Sequence, residues 1–310
     1  MHQRRFKFQQ SNGGQLAITL ACRAPPEEQA GRTLTWQIGD SNASNNGASE
    51  QPADAAGSAA PAAPASAAAA PDLIGLDIWP ASIALCRYLA AHPQLTEGLD
   101  VLELGAGMGL VGLAAAALGA RSVLLTDYEP EVLAHLASNA SLNGLQQRCS
   151  CAQIDWRAPS QGLATGQRGS WRLVLAADVL YASVVVQPFI DTLLLALHPQ
   201  GVALVGHQVR RAIVLDPASR LPRLEECDEP LERFKAACAA GGLAVRLLGS
   251  RQTCSYVDTD PMVLLAVGWP SAAEVLERLP EPAPNGGSNG SSIRCDGSSD
   301  GNANSELQST

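Results

Sequence analysis

The chain has 310 residues and a formal net charge of −9, and its two lysines, Lys7 and Lys235, beside nineteen arginines make no basic face for a nucleic-acid backbone. No apolar stretch is long enough to span a bilayer, and no apolar run follows the basic residues of MHQRRFKFQQ, so a membrane or exported protein is not expected. The eight cysteines form no CxxC pair and no histidines stand at ligand spacing, so neither a metal site nor a redox motif is expected.

Residues 41–71 are nearly all Ala, Ser, Asn, Gly and Pro, with too little large apolar surface to offset the entropy of ordering them. They are assigned to a disordered linker, since Pro61, Pro64 and Pro71 would interrupt the competing alanine-rich helix. Residues 72–270, rich in Leu, Val and Ala, have the size of one domain with a sizeable core. Residues 271–310 are assigned to a mostly disordered tail, on the Pro, Gly, Ser and Asn content that dominates from about Pro280.

Within the domain, Pro80 opens a helix that Trp79 precedes as a staple or as a ligand-facing residue. DVLEL (100–104) predicts a strand running into ELGAGMGLVG (103–112) and a helix of small residues. RSVLLTD (121–127) is a second strand, and 129–144 a helix with Glu129 and Glu131 in its first turn and Gly144 at its exit. Asn139 and Asn143 share a face of that helix and are expected to satisfy local backbone groups. CSCAQIDW (149–156) is a third strand, with Cys149 and Cys151 on one face as core thiols.

RLVLAADVLY (172–181), a helix over 183–197 and GVALVGHQV (201–209) follow, with His207, Arg210 and Arg211 on the edge where such sheets bind ligands, a solvated loop being favoured over contact with substrate. After a helix over 231–242, LAVRLLGSRQ (243–252) and PMVLLAVGW (261–269) are too close for a crossover and should pair antiparallel. The pattern predicts an α/β fold: a Rossmann-like, doubly wound, seven-stranded sheet with an antiparallel last strand.

The glycine loop needs a ligand. GxGxxG would place its third glycine where Leu110 stands, so the dinucleotide pattern misses. Glu103, at the carboxyl end of the first strand, would repel a pyrophosphate and attract a cation. Asp127, at the end of the second strand, can accept from both ribose hydroxyls. Asp155 and Trp156, at the end of the third, can supply an acceptor for an adenine amine and a flat apolar wall. A cationic nucleoside without phosphate, S-adenosylmethionine, meets these terms.

At this point the sequence resembles the seven-β-strand class I methyltransferases, and within them the protein-lysine methyltransferases of the methyltransferase-like 21 type. The likeness rests on GLDIWPASIALCRYL (75–89), ELGAGMGLVG, LLTDYEPEVLAHLASNASLNG, IDW and AADVLY, and spans about residues 72–250. Residues 1–40, with FKFQQSNGGQLAITL and then RTLTWQIG, are similar to that family's N-terminal β-hairpin. The resemblance implies that Trp79, Glu103, Gly105, Ala106, Gly107, Asp127, Trp156 and Ala177 line the cofactor pocket, and Gly109 and Asp155 are added to that set. It implies that Asp178 and Tyr181, the DxxY of AADVLY, stand near the methyl acceptor as the catalytic pair.

The activity expected is methyl transfer to a protein side-chain nitrogen, lysine first, with histidine and arginine left open. A small metabolite or RNA as acceptor, a silent cofactor-binding scaffold and a nicotinamide dehydrogenase are the alternatives, the last disfavoured by Glu103 and Leu110. The partner expected is a protein substrate, with no nucleic acid and no membrane, for a monomer in the cytoplasm and also the nucleus.

Overall fold

In a computed structural model of the chain, residues 2–22, 73–216, 219–248 and 261–282 are described. The expected linker at 41–71, RTLTWQIG and the tail beyond residue 282 lie outside them.

Strands β1 (His2–Gln9) and β2 (Gln15–Cys22) pair antiparallel, so the N-terminal hairpin closes within the first part of the stretch expected to form it. Its period-2 alternation buries Phe6 and Phe8 on one strand and Leu16, Ile18, Leu20 and Cys22 on the other. The chain continues through α1 (Pro80–Ala91), β3 (Asp100–Leu104), α2 (Leu110–Ala117), β4 (Ser122–Asp127), α3 (Pro130–Leu142) and β5 (Cys149–Gln153). It then runs through the single turn α4 (Pro159–Gly162), β6 (Trp171–Ala177), α5 (Ser183–Ala196) and β7 (Leu197–Gln208). The remainder is β8 (Ile213–Leu215), β9 (Pro222–Leu224), α6 (Glu229–Ala240), β10 (Ala244–Leu248), β11 (Met262–Gly268) and α7 (Ala273–Arg278).

Seven strands form one sheet in the order β5-β4-β3-β6-β7-β11-β10. β3, β4, β5, β6 and β7 are mutually parallel, and β11 runs antiparallel to both β7 and β10. The expected sheet, with its antiparallel last strand, is therefore the observed one. One apolar layer holds residues of α1, α2, α3 and the hairpin, including Ile83, Leu113, Leu136 and Ile18, and the other holds Phe189 of α5 and Phe234 of α6. From β3 the chain winds outward to β4 and β5, then returns to β6 on the other flank of β3. That reversal opens a crevice at the carboxyl ends of β3 and β6.

Three features differ from the sequence expectation. Residues 209–228 are not a plain loop, since β8 and β9 pair there as a separate hairpin. Residues 271–282, assigned to the tail, continue a 3-10 turn begun at Pro270 and form α7, burying Ala272, Leu276 and Leu279. Asn139 and Asn143 do not serve local groups alone. Their Oδ1 atoms accept the backbone N–H groups of Ala21 (2.9 Å) and Thr19 (2.8 Å), on the edge of β2 that β1 leaves open. Asn139 Nδ2 also donates to the carbonyl of Met108 (3.0 Å), so one side chain ties the hairpin to the glycine loop.

Candidate functional site

A cavity of about 350 Å³ lies at the crevice. Its floor is the glycine loop between β3 and α2, where Gly105 (φ +67°) and Gly107 (φ +52°) adopt the left-handed conformation that favours glycine. A Cβ on Gly105 would meet Val179 at 3.0 Å and the Trp156 ring at 3.1 Å, and one on Gly107 would meet the carbonyl oxygen of Gly75 at 2.9 Å. The loop thus forms a bare backbone cradle between an indole and the turn 73–76.

Trp79, Glu103, Gly105, Ala106, Gly107, Asp127, Trp156, Ala177, Asp178 and Tyr181 all line this one cavity. Two residues expected with them do not. Gly109 caps α2 in the left-handed conformation (φ +82°), where a Cβ would strike Leu136 at 2.7 Å, so it serves helix entry and packing. Asp155 turns outward and holds Arg157 through both carboxylate oxygens at 2.7–3.0 Å, as an exposed surface pair. Sequence reasoning missed Gly75, Asp77, Tyr128, Ile154 and Arg210 as lining residues. Gly75 and Asp77 fall inside the quoted GLDIWP, and Tyr128 directly follows Asp127, so proximity to motif residues was the available signal. For Arg210 the signal was its place on the ligand-binding edge.

Glu103 is almost fully buried, and its Oε2 accepts the backbone N–H of Gly112 at 2.8 Å. Burial pushes its carboxyl up to about 8, and the Asp127 charge adds to this against the opposing Gly112 hydrogen bond. Asp127 is also raised, mainly by burial, although the N–H groups of Gly107 (3.1 Å) and Glu129 (3.2 Å) stabilise its charged form. Trp79 donates its indole N–H to the carbonyl of Ile74 (3.2 Å), and Trp156 packs tilted on Phe189 with ring centroids 5.2 Å apart.

Asp178 leaves β6 with φ +59°, a conformation that costs a non-glycine residue energy and persists where surroundings enforce it. Its N–H donates to the carbonyl of Gly206 (2.8 Å), and its carboxylate accepts from Arg210 Nη1 (2.7 Å) and Nη2 (2.5 Å). Tyr181, 42% exposed, stands at the rim. Arg210 and Arg211 lie in the coil after β7, Arg210 half-buried against Asp178 and Arg211 exposed, but His207 is not in a loop. His207 is buried on β7 with Nε2 2.9 Å from Asp228 Oδ2, and burial lowers its pKa.

The acidic and basic residues around the cavity are Asp77, Glu103, Asp127, Asp178 and Arg210. Four carboxyl groups against one guanidinium, itself engaged by Asp178, do not suit a pyrophosphate. Two buried acids beside a backbone cradle and an indole wall suit a nucleoside carrying positive charge. The donor set therefore fits S-adenosylmethionine, with Asp127 available to its ribose and Glu103 to its cationic part.

Sheet order, switch-point cavity and donor set define the class I methyltransferase fold. Residues 69–216 match the family model described as lysine methyltransferase. The chain is similar to mouse protein-lysine methyltransferase METTL21E (31% identical over 170 residues, 53% of this chain and 63% of the relative). It is also similar to zebrafish protein N-lysine methyltransferase METTL21A (36% over 116 residues; 37% and 52%) and to the electron transfer flavoprotein beta subunit lysine methyltransferase of Xenopus laevis (29% over 143 residues; 46% and 55%). It thus spans 52 to 63% of the length of these relatives. Among solved structures, an S-adenosylmethionine-dependent methyltransferase from Mesorhizobium loti aligns over 60% of this chain and 97% of its own, at 17% identity and a TM-score of 0.42.

Proposed function

We propose that this chain transfers a methyl group from S-adenosylmethionine to a side-chain nitrogen of a protein, lysine first. One observation carries the reading: a single cavity holds Glu103 and Asp127 beside the glycine cradle and Asp178 and Tyr181 toward its rim. The names of the relatives, all lysine methyltransferases, support the same acceptor.

The bound cofactor supplies a methyl group on a sulfonium, open to direct displacement by a nitrogen lone pair. The chain's own residues supply alignment and the nitrogen's protonation state. A lysine with its usual pKa near 10.4 costs about 4 kcal/mol to present as neutral amine at pH 7 to 7.5. Trp79 and Trp156, lining the cavity, exclude water and so disfavour the ammonium. Asp178 Oδ1 also accepts the backbone N–H of Gln208 (3.4 Å), which leaves Oδ2 with the further lone pair that can accept an amine N–H and orient the nitrogen, and the Tyr181 hydroxyl stands beside the path. The proton leaves to solvent, with no group in the cavity required to keep it.

The reading extends to a monomer in the cytoplasm and nucleus, to residues 41–71 as a linker, and to no nucleic-acid or membrane partner. Among the described residues no helix is long and apolar enough to cross a membrane. The test is transfer of labelled methyl from S-adenosylmethionine into a eukaryotic cell extract, comparing wild type with Asp178→Asn. We expect a discrete protein band labelled on lysine, and a loss of about two to four orders of magnitude in the variant at saturating cofactor. Label confined to small molecules would assign a metabolite enzyme, and cofactor binding without any label a silent scaffold.

A further inference from the structure

Arg210 is the one cation among the described residues that line the cavity, and it sits against Asp178. A guanidinium is out of place in a cavity whose other charges favour a cationic ligand. Yet it is built in from several directions. Its backbone N–H donates to Asp228 Oδ2 (2.5 Å), and Asp228 in turn caps α6 through the N–H of Leu231 (2.9 Å) and pairs with His207. Its head grips both Asp178 oxygens and lies 5.8 Å from the centroid of the Trp79 ring.

We propose that Arg210 is the counter-ion that stops Asp178 from holding the acceptor amine in its charged, unreactive form. The proposal rests on the methyl-transfer reading of this cavity. A carboxylate buried as Asp178 is, and lacking a partner, would bind an arriving ammonium and raise its pKa. An ammonium nitrogen has no lone pair and cannot attack a methyl group. With Arg210 in place the charge of Asp178 is already compensated, while the remaining lone pair of Oδ2 can still accept an N–H from a neutral amine. Arg210 is therefore a positioning residue that sets the acceptor's protonation state through Asp178. The other titratable groups on the cavity wall are Asp77, Glu103, Asp127, Tyr128 and Tyr181, with His207 and Asp228 behind Asp178. None of these is positive at neutral pH save His207 when protonated, and burial disfavours that form.

Two nucleoside probes test the idea without a protein substrate. S-adenosylhomocysteine lacks the methyl group, and sinefungin carries an amine-bearing carbon in place of the methylsulfonium. Their dissociation constants are compared in wild type, Arg210→Gln, Arg210→Lys and Asp178→Asn. Arg210→Gln is expected to raise the preference for sinefungin roughly tenfold, the order expected for removing one nearby charge at a partly buried site. Asp178→Asn, which leaves the guanidinium uncompensated, is expected to lower it, and Arg210→Lys to stay near wild type. On a lysine substrate, Arg210→Gln should also move the rising limb of the pH-rate profile to higher pH. An unchanged preference in both Arg210→Gln and Asp178→Asn overturns the role of Arg210, and Asp178→Asn alone decides should Arg210→Gln not fold. Wild type that binds neither probe overturns the methyl-transfer reading and this proposal together. Binding of both with an unchanged preference overturns this proposal alone.

Discussion

Glu103 shows what a single residue of the motif does and what its position in the sequence conceals. A carboxyl at the end of β3 was readable as a cation partner, but its protonation was not, because that depends on the depth of burial and on the N–H of Gly112. With its folded pKa near 8 against an ordinary 4.5, Glu103 keeps a proton at pH 7 that the unfolded chain has released. Its contribution to stability is fully present below pH 4.5 and declines as pH rises toward 8. A bound cation favours the carboxylate and reverses the shift. Binding of S-adenosylmethionine at pH 7 should therefore release about one proton, read by calorimetry in two buffers of different ionisation heat. Glu103→Gln should abolish the buffer dependence, and wild type without it would mean that Glu103 is ionised before the ligand arrives.

At the scale of elements, α2 lies so close to the sheet that only glycine fits at its contact with β3 and β4. A Cβ at Gly112 would stand 2.2 Å from Leu125 Cδ2 and 2.4 Å from Glu103 Oε2. Gly112→Ala must push the helix outward or displace the carboxyl, with a cost of about 1–3 kcal/mol as for other overpacked cores. We expect a lower Tm together with weaker cofactor binding, measured side by side with Gly166→Ala, whose Cβ would meet open space. Equal behaviour of the two variants would show that α2 adjusts without moving Glu103. The large elements were legible because their periods repeat over many residues, as in α3 and β6. β8 and β9 were not, since strands of three residues leave too few positions for alternation to register. The Asn139 and Asn143 pair was half legible. Their i,i+4 spacing marks a shared face, but their backbone partners lie 118 and 124 residues away, a relation only the folded hairpin reveals. The position of Arg210 on the ligand-binding edge was legible, but its pairing with Asp178, 32 residues distant, was not.

Across the whole molecule, the domain edge that composition sets at residue 270 falls inside ordered structure, since α7 lies beyond it. PSAAEVLERLPEP places Ala272, Leu276 and Leu279 at the spacing of one helical face, yet the run is short and the Pro- and Gly-rich stretch beyond it dominates any average. In the fold those three residues are buried. The Tyr88 hydroxyl donates to the carbonyl of Pro280 (2.8 Å), and Arg246 Nη1 donates to the carbonyls of Leu276 (2.5 Å) and Leu279 (3.0 Å). Burying a leucine contributes roughly 1.5–3 kcal/mol, so this segment closes the domain. Ending the chain at Trp269 should therefore lower Tm by about 5 °C or more, on the scaling for a domain of this size. Deleting residues 41–71, whose composition offers no comparable apolar surface, should leave Tm and cofactor affinity unchanged. The two deletions pull the boundaries in opposite directions. A stable protein ending at 269 would return α7 to the tail, and a destabilised one lacking 41–71 would make that stretch part of the folded unit.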